Sequence, residues 1–366
     1  MSIRIEELQT PALLVDLTQV RANVARMAEI LAQRGGVDRW RPHVKTAKIA
    51  AVQSILIDAG VRQFKAATTR EARVLLELAD EADVEVDLLI AMSHRGANLE
   101  RIAELAREFG AHRVSLLTED PEHAREVQAS NGNLDLFVDI DPRWGRSGIP
   151  LDDRSRIRAT LDACGEALRG VHFYEGQERS ATHPMRAAAC APLFDALCSV
   201  VRDLDLAHLE VITSGTPTFE AALEHGGLNS LRHTVSPGIV VYFDGNSLEF
   251  GIAGFRPAVH VLARVISSPA PQRITVDAGS KALDAAAGDP CAQVEDWPGL
   301  VAGHASEEHL PFVVREGAAP RPGTLLRLVP RHVCPVVNLA DVAVLIEHGA
   351  ITSVVPVDAR GHETTC

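Results

Sequence analysis

Arg41-Pro42-His43-Val44-Lys45-Thr46-Ala47-Lys48 is the stretch on which the reading of the fold turns. It places Lys45 where a short strand over residues 40–44 should end and a helix begin. A lysine at a strand end is an amine that can condense with an aldehyde cofactor, and burial helps by disfavouring its ammonium form. On these eight residues alone, a surface cation at a loop start is the competing reading.

Outward from residue 44, strand-like runs recur at about 63–66, 86–90, 113–117, 134–140, 168–174, 208–213 and 231–235, with helix-like runs between most of them. With 40–44 that makes eight strands. Alternating strand and helix implies a parallel sheet, and eight units over roughly 200 residues predict closure into a (β/α)8 barrel. Upstream, Thr10 to Asp16 reads as a strand, followed by a helix with Val20, Val24, Met27 and Leu31 on one face and Gly35-Gly36 as its stop. After about Phe255 the texture changes. Runs at 259–266, 273–276, 324–329, 342–346 and 351–355 are short, β-branched and separated by Gly, Pro and His turns. The predicted fold class is therefore α/β, a TIM barrel over 17–255 with a second, C-terminal all-β domain over 256–366.

At 366 residues the chain has room for both. A net charge of −13 argues against binding the backbone of nucleic acids, which needs a clustered basic surface. The acidic N-terminal stretch from Met1 to Leu8 does not read as a secretory signal. No run approaches the ~18 uninterrupted apolar residues of a membrane span. Cysteines at 164, 190, 198, 291, 334 and 366 show no Cys-x-x-Cys pair and no disulfide rhythm, and a cytoplasmic location is expected.

Barrel enzymes place their chemistry at the C-terminal ends of the strands. Lys45, Ser93-His94, Asp139, Asp141, Tyr174 and Ser214-Gly215-Thr216 all fall at such ends. Ser214-Gly215-Thr216-Pro217 precedes a helix-like run over 217–224, where hydroxyls, bare backbone and a helix N-terminus suit a phosphate. A plain turn is the competing reading. Pro237-Gly238-Ile239 follows the eighth strand, and the loops after strands seven and eight are a recurrent phosphate site in barrels. His332 and Cys334 follow an apolar run, and residues i and i+2 of a strand point the same way and can grip one ion. A purely structural His-x-Cys pair is the alternative.

The stretch 41–48 resembles the Arg-Pro-His-x-Lys-Thr-His-Lys segment of the D-threonine aldolase and D-serine dehydratase family, pyridoxal-phosphate enzymes of the alanine racemase-like fold. The resemblance implies that Lys45 carries the cofactor, with His43 beside it. It also implies that the N-terminal strand, residues 1–16, joins the all-β domain. Asp139 to Gly148 is similar to the family's Asp-x-Gly-x-x-Arg-x-Gly loop, apart from Asp141-Pro142, and puts Arg146 near the cofactor's phenolic oxygen. Tyr174-Glu-Gly-Gln177 resembles Tyr-x-Gly-His, and Tyr242-Phe-Asp resembles Tyr-x-Asp. Together with Ser214, Gly215, Thr216, Gly238 and Ile239 these are the implied cofactor-binding residues, with Lys45 and Tyr174 also catalytic. Ala47 and Gln177 stand where the family has histidines. His332 and Cys334 match the family's metal pair, and a thiolate with an imidazole suits zinc better than manganese or magnesium. Lys281, Asp284, Glu307, Glu308 and His309 fall in further matching segments of the β domain, and the resemblance implies a homodimer.

The expected activity is that of a lyase on a β-hydroxy D-amino acid, dependent on pyridoxal phosphate and a divalent metal, which removes water to give a 2-oxo acid and ammonia. Retro-aldol cleavage to glycine and an aldehyde is the near alternative. A racemase or a non-catalytic cofactor-binding protein is the distant one.

Overall fold

Seven parallel strands follow one another in space as they do in sequence: Gln63–Ala66, Asp87–Ile90, Arg113–Thr118, Asp135–Asp141, Leu168–Phe173, Glu210–Thr213 and Arg232–Val235. The eighth expected strand, 40–44, is not a regular strand. It contributes two parallel bridges, Trp40 to Val235 and His43 to Lys65, and these close the ring between the last strand and the first. Pro42 accounts for the difference, because it has no N–H to give to a ladder. What remains is Arg41 N–H to the Val235 carbonyl, Lys65 N–H to the Pro42 carbonyl and Val44 N–H to the Lys65 carbonyl.

The computed structural model describes residues 4–364, so the first three residues, Thr365 and Cys366 lie outside it. The chain folds as two units, one made of residues 27–45, 53–238 and 362–364 and the other of residues 4–26, 46–52 and 239–361. Residues 17–26, 46–52 and 239–255 group with the second unit through particular bonds. Asn23 donates to the carbonyls of Val241 and Arg256, Lys48 Nζ donates to the Ala359 carbonyl, and the Ala50 N–H donates to Asp358.

In the barrel unit the helices begin where the sequence supplies caps. Thr68 and Asp120 each accept the N–H three residues on, before Thr69–Glu81 and before Pro121–Ala129 with its leading proline. Leu75, Leu76 and Ala79 then bury one face of the first of these helices. Leu89, Leu117, Phe137 and Ile212 form a core cluster from four of the strands. At the opposite end of the strands Arg41 is fully buried. It bonds Glu210 and Asp87 at 3.0 Å each, and Arg169 joins Asp87 to Asp135 at 2.9 Å. Asp87, Asp135 and Glu210 open their strands. The arginine of the opening stretch thus holds the N-terminal ends of the barrel strands, where chain stability rather than chemistry is served. The helix His183–Asp203 has the length and mean hydropathy, 1.3, of a membrane span. It also holds buried Arg186, which donates to the Ser180 and Ala181 carbonyls.

The second unit is strand-rich. Ala12–Asp16 lies between Val259–Ala270, antiparallel, and Val342–Glu347, parallel, and Arg273–Val276, Leu310–Val314, Leu300–Ala302 and Ala350–Pro356 extend the sheet. Leu14, Leu262, Val344 and Ile346 form its core, which explains why the N-terminal strand belongs here.

Candidate active site

Tyr174 directly follows the strand Leu168–Phe173, and two glycines make room for its ring. A Cβ on Gly176 would lie 2.4 Å from the Tyr174 ring and one on Gly215 3.0 Å from it. The Tyr-x-Gly and Ser-Gly-Thr segments are therefore two sides of one clasp. Trp144 sits 5.9 Å away, Arg146 places its guanidinium carbon 4.9 Å from the same ring, and Lys65 its Nζ 5.7 Å. The loop that carries Trp144 and Arg146 is fixed by Asp141, whose carboxylate accepts the N–H groups of Trp144 and Gly145 at 2.8 and 3.1 Å. This is what Asp141-Pro142 supplies in place of the family's glycine pattern. Gln177 donates to the Pro142 carbonyl at 3.1 Å.

Lys45 ends the 40–43 segment, partly exposed, with its backbone N–H on His43 Nδ1 at 3.3 Å. The burial expected of Lys45 falls on Lys65 instead. Lys65 is 3% exposed and meets His172 Nε2 at 2.8 Å, and His172 Nδ1 meets Asp139 Oδ1 at 2.7 Å. Burial, reinforced by the Lys45 charge, pushes the Lys65 amine down to about 7. Burial and the Lys65 charge push the His172 imidazole down to about 4. Burial would raise the Asp139 carboxyl, but His172, Ser147 and Arg146 hold it below the usual carboxylate range.

Ser214, Thr216 and Ser236 are buried at the ends of the last two strands. Ser214 takes a left-handed backbone with φ 59°, a conformation rare for a non-glycine residue. Its N–H points at Glu175 Oε2 at 3.4 Å, and Thr218 Oγ1 donates to Glu175 Oε1 at 2.6 Å. Burial pushes the Glu175 carboxyl up. The helix expected from Pro217 begins two residues later, as Phe219–Glu224. Pro217 biases Thr216 away from helical backbone, and both Thr218 and Phe219 spend their N–H groups on the Gly215 carbonyl. Trp40 Nε1 donates to the Pro237 carbonyl at 2.9 Å and fixes the turn that holds Gly238. The Thr216 and Ser236 hydroxyls are buried without a partner among the described residues.

Ile239, Tyr242, His332 and Cys334 belong to the other unit. His332 and Cys334 are not on a strand. The strand Leu325–Pro330 ends first, His332 directly precedes the helix Val333–Leu339 and Cys334 sits in its first turn, where Pro335 is tolerated because its missing N–H has no helical partner to lose. Asp244 accepts from His332 Nδ1 and from the Val333 N–H, each at 3.1 Å, and Cys334 Sγ lies 3.1 Å from Thr46 Oγ1. Burial alone would lower the His332 imidazole, yet Asp244 and Cys334 raise it to about 10. Tyr242 is fully buried, its hydroxyl without a partner among the described residues. Lys281 is engaged by Glu307 and Glu308 at 3.0 Å each on the surface.

Sequence reasoning missed Lys65, His172, Glu175 and Ser236. Lys65 carried a usable signal: only four of the chain's 36 basic residues are lysines.

The fold defines a class, the (β/α)8 barrels of alanine racemase-like architecture joined to a strand-rich unit. The chain belongs to the alanine racemase N-terminal domain family, which residues 15–246 match, and that family depends on pyridoxal phosphate. Residues 258–346 match a serine dehydratase domain, in keeping with the resemblance seen in the sequence. The chain is 28% identical over 366 positions to a D-threonine aldolase of an Arthrobacter species, covering 96% of this chain and 93% of that one. It is 29% identical over 359 positions to the D-threo-3-hydroxyaspartate dehydratase of Delftia sp. strain HT23, covering 89% and 91%. The crystal structure of the D-threonine aldolase from Filomicrobium marinum matches with a TM-score of 0.86 at 26% identity, covering 98% of each chain.

Proposed function

We propose that the protein is a lyase of β-hydroxy D-amino acids that removes water and yields a 2-oxo acid and ammonia. The named relatives, an aldolase and a dehydratase, support lyase chemistry on D-amino acids. The cofactor's requirements fit the residues present. Two buried hydroxyls without partners, Thr216 and Ser236, beside the bare backbone of Gly215 and Gly238, suit a phosphate. Lys45 would anchor the aldehyde, Tyr174 would pack against the ring and Arg146 would meet the phenolic oxygen. Pyridoxal phosphate, when bound, supplies an electron sink that lets a proton leave Cα. Lys45 Nζ, freed when the substrate takes its place, would be the base that takes that proton.

His332 and Cys334 offer a divalent metal two donors. Asp244 orients the imidazole through Nδ1, as a carboxylate does for a metal-ligating histidine. Among the described residues no cluster of three such side chains occurs, so a metal here would take its remaining ligands from water and substrate oxygens. When bound, the metal supplies Lewis-acid polarisation of the β-hydroxyl. A soft thiol favours zinc.

The observation that carries dehydration over cleavage is Cys334. With His332, the Cys334 thiolate would hold a metal that would supply Lewis-acid assistance to departure of the β-hydroxyl. The aldolase relatives favour the second reading, in which the Cα–Cβ bond breaks and glycine leaves with an aldehyde. The test is product identification with a panel of D-3-hydroxy amino acids, in which ammonia and 2-oxo acid should accumulate in equal amounts. Glycine with an aldehyde would replace this reading by the aldolase one.

A further inference from the structure

The 36 basic residues comprise 32 arginines and four lysines, at 45, 48, 65 and 281. Arginine stays protonated in proteins, so lysine is the choice where a proton has to move. Lys48 holds the Ala359 carbonyl at 3.1 Å, Lys281 pairs with two surface glutamates, and Lys45 is the proposed anchor. Lys65 remains. It lies on the strand hydrogen-bonded to the segment that ends at Lys45, and its side chain is buried at the barrel mouth beside the Tyr174 ring.

Its environment is unlike that of a structural cation. No carboxylate among the described residues pairs with Nζ, whose partner is a neutral imidazole. The set Asp139, His172, Lys65 is satisfied throughout when His172 gives its Nδ1 hydrogen to Asp139 and accepts one from Lys65 on Nε2. Ser147 Oγ donates to the second Asp139 oxygen at 3.0 Å and fixes the far end. The imidazole is thereby held in one tautomer, and the amine keeps its other positions for a second partner. The charges that act on Nζ are Lys45, Arg146 and Arg41, which disfavour the ammonium, and Asp139, which favours it. Burial and this surplus of cations poise the amine near neutral pH, where a proton carrier works best.

We infer that Lys65 is a second acid–base amine of this site, aligned by His172 and Asp139, which gives a proton to the departing β-oxygen of the substrate. The inference rests on the lyase reading above. One N–H bond of the Lys65 ammonium breaks as an O–H bond forms on the leaving hydroxide, which departs as water. The neutral amine then takes a proton back from solvent before the next turnover.

With four lysines, the isotopically labelled holoenzyme can be followed by NMR, and Lys65→Arg assigns the signal. The Lys65 amine, lowered chiefly by burial, should titrate well below the ordinary lysine range. Lys65→Arg keeps the charge and the donor for His172 but cannot release its proton. It should bind pyridoxal phosphate as the parent does, lose at least about 10²-fold in kcat, and no longer show a fall in kcat as pH rises through neutrality. An ammonium that persists to pH 10, or a Lys65→Arg enzyme with the parent's kcat and pH profile, overturns the inference. If the arginine does not fit the fold, the titration of the unsubstituted holoenzyme still decides the point. If no D-3-hydroxy amino acid is turned over, the lyase reading fails while the titration continues to test Lys65.

Discussion

Burial holds Glu175 protonated more firmly in the folded chain than in the unfolded one, against the Thr218 hydroxyl and the Ser214 N–H, which favour its carboxylate, and this gives a prediction with a definite sign. Because the folded state keeps the extra proton, stability falls as pH rises from the ordinary carboxylate range toward the raised pKa of Glu175. Glu175→Gln keeps the shape and an acceptor without the ionisation. Its melting temperature relative to the parent should climb as pH rises above the ordinary carboxylate range, as scanning calorimetry would show. A constant gap over that rise would mean that Glu175 does not titrate with folding. None of this was readable from Tyr-Glu-Gly-Gln, since a glutamate after a strand reads as a solvated rim residue. Its burial depends on Ser214 and Thr218, some forty residues away. Lys65 was hidden for a similar reason: Gln-Phe-Lys-Ala has the alternation of an ordinary strand, and only the return of the chain at His172 gives the amine its partner.

At the level of single elements, the barrel strands were readable because each is a short apolar run between helix signals, and every expected run from 63–66 to 231–235 matches a strand. The exceptions turn on proline. Pro42 reduces the first strand to two bridges, and Pro217 delays a helix. Pro335 belongs to a first helical turn, so the apolar run 324–329 ends before His332 rather than carrying it as a strand. The His332–Cys334 pair at that helix start carries a prediction of its own. The purified protein should contain about one equivalent of divalent metal per chain, zinc foremost. Exhaustive chelation should abolish lyase activity, and restoring the metal should recover it. His332→Ala/Cys334→Ala should lose the metal and keep its melting temperature within a few degrees. Full activity after chelation, with no metal found, would remove the Lewis-acid role.

For the whole molecule, two units are built from interleaved segments, and the chain crosses between them after Arg26, Lys45, Val52, Gly238 and Gly361. The crossings after Lys45 and Gly238 fall inside segments proposed to hold the cofactor. Sequence texture marked the change near residue 255, because composition shifts only where helices cease. The earlier crossing at Ile239 leaves no such mark and is set by hydrogen bonds such as Asn23 to the Val241 carbonyl. The central claim is that this fold presents Lys45 as the cofactor's anchor, and with only four lysines in the chain the claim can be decided by one experiment. Borohydride reduction of the holoenzyme, proteolysis and mass spectrometry should place the pyridoxyl mass on Lys45, and Lys45→Ala should leave no labelled peptide. A label on Lys65 or Lys48 would contradict the account.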